Sequence, residues 1–326
     1  MPDHSAIRQA ASSQVSPGQG SLEQGSLRQV SLRQVSLEQR DELPVLRIEN
    51  AHASATIALQ GAQLLEYTPR GKRPVIWLSA NAEYKRGQGQ RGGIPVCWPW
   101  FGASERNPAA VCASTRGDNL PAHGLVRTRD WTLRSVSERE DATEIVLSFV
   151  SDAIVQRHWP HAAMLQLRVT VGATLCMELS THNLDTQPLA LSQALHTYFA
   201  ISAVDNVTLT GFEDTRYIDT LDDWREHRQT GAIRFTAETD RIYLEVPREV
   251  RLHDSGWQRT IRLRTRNSTS AVVWNPWIEK SKRLSQFPLD AWRDMVCIET
   301  ANVLDDAVTL APQAVHTLAV EIDSDV

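Results

Sequence analysis

No run of apolar residues in this chain approaches the ~20 that a membrane helix needs, and the N-terminus lacks the apolar core of a secretory signal. Both absences argue for a cytoplasmic protein with no membrane partner. Cysteine is sparse: Cys97, Cys112, Cys176 and Cys297 are far apart and form no CxxC pair. Three of the four sit among apolar neighbours, which predicts buried, reduced thiols. Charge of neither sign clusters. The 34 basic and 39 acidic residues give a net charge of −5 without a like-charge block, so no nucleic-acid-binding surface is expected. A serine elbow, a P-loop and a zinc motif are all missing. Asn206 and Asn267 match the glycosylation tripeptide, but without a secretory signal the match carries no meaning.

What is present begins with a repeat. "GSLEQGSLRQVSLRQVSLEQ" reiterates a five-residue unit in which Ser21, Ser26, Ser31 and Ser36 each precede a leucine. A period of five fits neither the helical nor the strand period, so the leucines cannot form one buried stripe. Residues 1–43 therefore read as a low-complexity, disordered leader. From 44 to 326 the texture changes to many short alternating runs. "ATEIVLSFVSD" puts Ile145, Leu147 and Phe149 on one face. "MLQLRVTVGATLCMELSTHN" alternates on both sides of Gly172, which predicts a hairpin with Leu165, Leu167, Val169, Val171, Leu175, Met177 and Leu179 inward. "RIYLEV", "TIRLRT", "AVVWN" and "HTLAVEID" continue in this manner, and helical periodicity shows only around Trp277–Phe287. Many strands with regular turns predict an all-β sandwich or barrel with a few short helices, in one domain over 44–326.

Candidate functional residues are polar groups in apolar company. "KRGQGQRGGIPVCWPWFG" contains a formal GxGxxG at Gly87, Gly89 and Gly92. The dinucleotide fingerprint needs a strand before it and a helix after it, and Pro95 and Pro99 deny it the helix. What remains is a glycine-rich loop that carries Arg91, an arginine placed to offer its fork to an anion, into an aromatic core segment. "LPAHGLVRTRDW" places His123 after a proline turn, with Arg127 four residues on. "ALHTYFAIS" sets His196 in an apolar strand, sharing a face with Ala194 and Tyr198. "DMVCIETAN" ends a buried-looking strand on Glu299, in line with Met295 and Cys297; glutamates are rarely buried without a partner. The "HWPH" histidines, His158 and His161, lack a third ligand and read as surface or edge residues. On the residues alone, the set reads either as a general acid–base site or as scattered core polarity.

The segments "RGGIPVCWPWFG", "PAHGLVRTRDW", "ALHTYFAI", "YIDT", "VVWNPWIEKSKRLSQF" and "MVCIETAN" occur in the order found in the D-hexose-6-phosphate mutarotases. Roughly from Leu43 to the C-terminus the chain resembles this branch of the aldose 1-epimerase superfamily. The resemblance implies a galactose-mutarotase-like antiparallel β-supersandwich, and interconversion of the anomers of a hexose 6-phosphate without cofactor or metal. It implies His196 as the acid that protonates the ring oxygen and Glu299 as the base on the C1 hydroxyl. It further implies His123 and Asp219 as sugar-binding residues and Arg91 and Arg127 as phosphate ligands. The chain has "HGLVR" where the family often has "HGFAR"; Leu125 and Val126 keep the segment apolar.

The chemistry fits these residue types. Inverting C1 of a hemiacetal requires the ring to open, C1–C2 to rotate and the ring to close, with an acid on O5 and a base on the C1 hydroxyl. A monomer acting on a small sugar phosphate is the expectation. Two other readings stay open: a carbohydrate-binding β-sandwich without turnover, and a mutarotase of neutral aldoses. The first would be expected to have lost one of the acid–base pair, and the second has no use for two arginines.

Overall fold

The structure, a computed structural model, describes residues 33–325. Antiparallel sheets dominate it: one of four strands, two of eight and a two-stranded ribbon. The helices Ala109–Ala113, Ala153–His158 and Trp277–Ser281 have at most six residues each. Among the described residues no helix is long and apolar enough to cross a membrane. The all-β expectation and the short helix after Trp277 both hold.

Strand alternation builds the core. The strands Ala163–Gly172 and Leu175–Asn183 form the expected hairpin, pairing Leu167 with Leu179 and Val169 with Met177. Leu165, Leu167, Val169, Val171, Leu175, Met177 and Leu179 are all fully buried, while Gln166, Arg168, Thr170, Cys176 and Glu178, which alternate with them, are partly exposed. Burying each such side chain contributes roughly 1.5–3 kcal/mol. One apolar cluster joins Leu46 and Ile57 of the four-stranded sheet to Leu167 and Leu318 of one large sheet and Val296 and Ile298 of the other. That second large sheet carries the site. Its strand Met295–Asn302 is buried along its whole length, because both of its faces are covered.

The leader expectation needs correcting at its C-terminal end. Residues 1–32 lie outside the described residues, but Val35–Arg40 is a strand, paired antiparallel with Leu43–Glu49 at the edge of the four-stranded sheet. The five-residue period forbids a long stripe, yet a six-residue strand needs only one unit's worth of alternation. Val35 and Leu37 supply it and point into the core, with Ser36 exposed between them. The cysteines are likewise half as expected. All four are free; Cys97 and Cys297 are buried, whereas Cys112 and Cys176 are partly exposed.

If the edge strand belongs to the fold, Leu37→Ala should cost about 2 kcal/mol through the cavity it leaves. Ser36→Ala on the same strand should stay within about 0.5 kcal/mol. Urea unfolding of the two variants checks this, and equal midpoints would detach the strand from the cooperative unit.

Candidate active site

The site begins with a broken strand. Gln193–Leu195 and Tyr198–Ala200 both pair antiparallel with Met295–Asn302, with His196 and Thr197 in the gap between them. The register is continuous across the gap: Leu195 faces Thr300 on one side and Tyr198 faces Cys297 on the other. His196 therefore stands directly opposite Glu299. The histidine was expected inside an apolar strand; it lies in the gap, where its backbone N–H donates to the Pro95 carbonyl at 3.0 Å and so continues the pairing of Gln193–Leu195 with Val96–Cys97 on the other side. The result is a side-chain pair, His196 Nε2 to Glu299 Oε1 at 3.3 Å, with both residues buried.

Period-two geometry extends this face. Trp274 lies opposite Cys297, Val272 opposite Glu299, Asp240 opposite Trp274 and Ile242 opposite Val272. These residues share one side of the sheet. Asp240, Ile242, Val272 and Trp274 line a cavity of about 450 Å3 with His196, Tyr198 and Glu299. That volume suits a small ligand. Arg91, Phe101, His123 and Lys280 contribute walls.

His123 is held by its backbone and its neighbour. It sits at φ +65°, and the Gly102 N–H donates to its Nδ1 at 3.3 Å, which leaves the proton on Nε2. Its ring meets His196 edge to face, with centroids 5.4 Å apart. Gly124 makes this possible: at φ +79° it passes so close to Trp98 that a Cβ would lie 2.0 Å from the Trp98 carbonyl oxygen. Only glycine tolerates both that φ and that approach. Tyr198 stacks on the other side of His196 at 4.8 Å and 12°, and the Arg91 guanidinium approaches its hydroxyl at 3.5 Å.

Arg91 and Arg127 mark the border with a second cavity of about 550 Å3, which both line. Arg91 also donates to the Ser285 carbonyl at 3.3 Å. Arg127 Nε is buried without a hydrogen-bond partner. Its guanidinium lies beside Gly89, where a Cβ would come within 3.4 Å of it. Thus His196, Glu299, His123 and Arg91 converge on one cavity, and Arg127 flanks it from behind.

Asp219 does not join them. It pairs with Arg241 across the sheet, its carboxylate accepting from Arg241 Nε at 3.2 Å, one residue out of phase with the cavity-facing Asp240. A one-residue step along a strand changes face. The carboxylate that joins Glu299 in the cavity is Asp240, and the sequence carried a signal for it: in "TDRIYL", Asp240 aligns with Ile242 and Leu244, as Glu299 aligns with Cys297. The "HWPH" pair holds no metal-like arrangement. Buried Trp159 separates the two residues; His158 meets the Arg116 carbonyl at 3.3 Å and His161 meets Asp185 at 3.6 Å.

Burial sets the proton affinities. Desolvation, reinforced by the Asp240 charge and opposed by Arg127, raises the Glu299 pKa well above the carboxylate range. Desolvation, then His123 and the arginines, lowers that of His196 well below the usual histidine value. Both shifts favour a neutral pair with one proton between its members. His123 is pushed down to about 3 by burial and the two arginines, and Asp240 is raised to about 6 by burial.

The family model described as Aldose 1-epimerase matches residues 44–323. The chain belongs to the aldose 1-epimerase family. It is a sugar isomerase of that family, whose members interconvert anomers at C1. A Salmonella typhimurium protein provisionally named glucose-6-phosphate 1-epimerase is 35% identical over 263 residues, 80% of this chain and 84% of that one. A Cenchrus ciliaris protein with the same provisional name is 31% identical over 79% of this chain and 77% of its own. Among solved structures, a provisionally named mutarotase from Salmonella typhimurium superimposes with a TM-score of 0.81 at 32% identity, over 89% and 93% of the two chains. A Lactobacillus acidophilus galactose 1-epimerase gives 0.67 at 15% identity over 90% and 99%, a likeness of fold alone. The galactose-mutarotase-like fold of this family member is therefore as expected.

Because the Asp240 charge raises the proton affinity of Glu299, Asp240→Asn should lower the Glu299 pKa, and Asp219→Asn should leave it in place. Carboxyl 13C titration by NMR measures both; a shift for Asp219 and none for Asp240 would reverse the placement.

Proposed function

We propose that the chain interconverts the α and β anomers of a hexose 6-phosphate, with His196 and Glu299 as the proton-transfer pair. The observation that carries this reading is their separation of 3.3 Å. O1 and O5 of a hemiacetal are bonded to the same carbon, so the groups serving them must stand side by side. Glycosidases, which act on the two sides of an acetal, hold their carboxylates about 5–9.5 Å apart. A pair this close fits ring opening and closing far better than displacement at C1.

The protonation state supports the same chemistry. A buried pair sharing one proton donates it to O5 from one partner while the other takes the proton of O1. Closing the ring after rotation about C1–C2 runs both transfers backwards. The resemblance assigns the acid to His196 and the base to Glu299; the neutral resting pair places the proton on Glu299, and either starting arrangement completes the cycle. Each transfer contributes typically about 10²–10⁴-fold. Neutral His123, whose proton is on Nε2, and Asp240 are set to hold hydroxyls around the ring.

The phosphate enters through the arginines. Arg91 spends its observed bonds on uncharged groups, and the buried Arg127 Nε has no partner. Guanidinium groups lacking anionic partners in such surroundings favour an anionic ligand. A 6-phosphate bound there lies remote from C1 and positions it through binding energy. A neutral aldose offers the arginines no such partner.

Anomer exchange followed by NMR on glucose 6-phosphate should fall by about 10²–10⁴-fold in both Glu299→Gln and His196→Ala. Wild-type exchange in either folded variant overturns the role of that residue. Arg91→Ala should raise KM for the phosphorylated sugar while barely changing that for free glucose; equal effects would remove the phosphate contact. The pH profile of kcat should fall at both ends. Below the depressed His196 pKa both partners hold protons, above the raised Glu299 pKa neither does, and only between them is a single proton shared. A rate rising steadily with pH would contradict the shared proton.

A further inference from the structure

Cys297 is the one polar side chain on the cavity face of the central strand that the reaction does not use. It sits two residues before Glu299, flanked by Tyr198 and Trp274, on the face that His196 shares. Its Sγ, a ring nitrogen of His196 and a carboxylate oxygen of Glu299 all lie within 4.8 Å of one another. An ion with bonds of about 2.0–2.3 Å holds tetrahedral ligands roughly 3.3–3.8 Å apart. His196 and Glu299 already meet that spacing at 3.3 Å. The thiol needs to move in by at most about 1 Å, a χ1 rotation of roughly 35° whose cost in strain is modest.

We propose that Cys297, His196 and Glu299 form a binding site for a single thiophilic divalent cation such as Zn2+, and that its occupancy shuts the epimerase site. The inhibitory half rests on the reading of His196 and Glu299 as the proton-transfer pair; the binding half does not.

Three further observations support the site. The His196 Nδ1 and Glu299 Oε2 atoms are buried and unpartnered, so the cluster has unused polar capacity, and Oε2 can make the carboxylate bidentate. The donor set balances charge. The thiol and the carboxyl each offer one anionic donor and the imidazole a neutral one. The ion displaces one proton from each acid to solvent, and thiolate, carboxylate, imidazole and M2+ together carry no net charge. Buried surroundings accommodate that neutral complex better than separate charges. Finally, His196 and Glu299 line the cavity, so an ion entering from it meets them first and leaves its fourth position open to water.

The same surroundings select the ion. Arg91 and Arg127 stand nearby and repel a bare cation, so an ion that gains only oxygen bonds has little to offset that repulsion. Zn2+, Co2+ and Cd2+ gain a thiolate bond; Mg2+ and Ca2+ prefer oxygen ligands and larger coordination numbers. Once the ion is bound, the His196 lone pair and the Glu299 carboxylate are both committed to metal, and neither moves a proton.

The test uses the full chain. Titration with Co2+ should produce a thiolate-to-cobalt charge-transfer band at one ion per chain, which Zn2+ abolishes and Mg2+ does not. Cys297→Ala and Cys297→Ser should lose the band, and Cys176→Ala, which removes a partly exposed thiol elsewhere, should keep it. In anomer exchange, Zn2+ should inhibit the wild type reversibly, with recovery on chelation, and the Cys297 variants should need at least about 10-fold more Zn2+ for the same inhibition. No band in the wild type, or a band that survives in the folded Cys297 variants, overturns the site. Equal Zn2+ sensitivity of wild type and variants overturns its control of activity. A cobalt band on a protein that turns over free aldoses but no hexose 6-phosphate would uphold the metal site and remove only the proposed substrate.

Discussion

Everything at this site depends on the register of one antiparallel ladder. Leu195 opposite Thr300 and Tyr198 opposite Cys297 force His196 and Glu299 to face each other across the gap. Directly opposed residues hold their Cβ atoms about 4.5–5.5 Å apart, which is the distance at which an imidazole and a carboxyl can meet. The two residues are more than a hundred positions apart in the chain, and backbone hydrogen bonds on both flanks hold them together. The break at His196–Thr197 leaves the register unchanged, so alternation keeps the His196 side chain on the cavity face that Tyr198 shares.

The cavity mixes polar groups with apolar and aromatic walls, and this combination sets its electrostatics. Burial drives Glu299 and His196 toward neutrality from opposite directions. The cationic arginines and the Asp240 carboxylate then pull against each other across the pair. Aromatic rings limit movement: Tyr198 stacks on His196 and Phe101 meets His123 edge to face at 4.9 Å. Pre-positioned groups of this kind act without reorganising when charge develops.

Much of this was legible in the sequence, because strand alternation is a local signal. The hairpin around Gly172, the burial of Glu299 on an apolar strand and the short helix after Trp277 all follow from spacing. The pairing of His196 with Glu299 does not, since register between distant strands has no local signature; resemblance to a family supplied it. Asp219 and Asp240 show the limit. Each is an acid on a strand of the site sheet, and only the phase of the strand decides which one faces the cavity. Val35–Arg40 shows another limit. A repeat that cannot form a long stripe can still contribute one short strand where a neighbouring strand offers an edge.

That edge strand has a consequence for how the chain can vary. Val35, Ser36 and Leu37 repeat, letter for letter, the Val30, Ser31 and Leu32 of the preceding unit, and Gln39 repeats Gln34. Replication slippage that deletes or duplicates a whole five-residue unit would still deliver a Val-Ser-Leu word to the same slots beside Leu43–Glu49. A one-residue deletion between this strand and Leu43 would instead bring Ser36 and Gln34 to the slots now filled by Leu37 and Val35. Loss or gain of whole units therefore leaves the sheet edge with the same residues, whereas a one-residue change inside the strand or its turn does not.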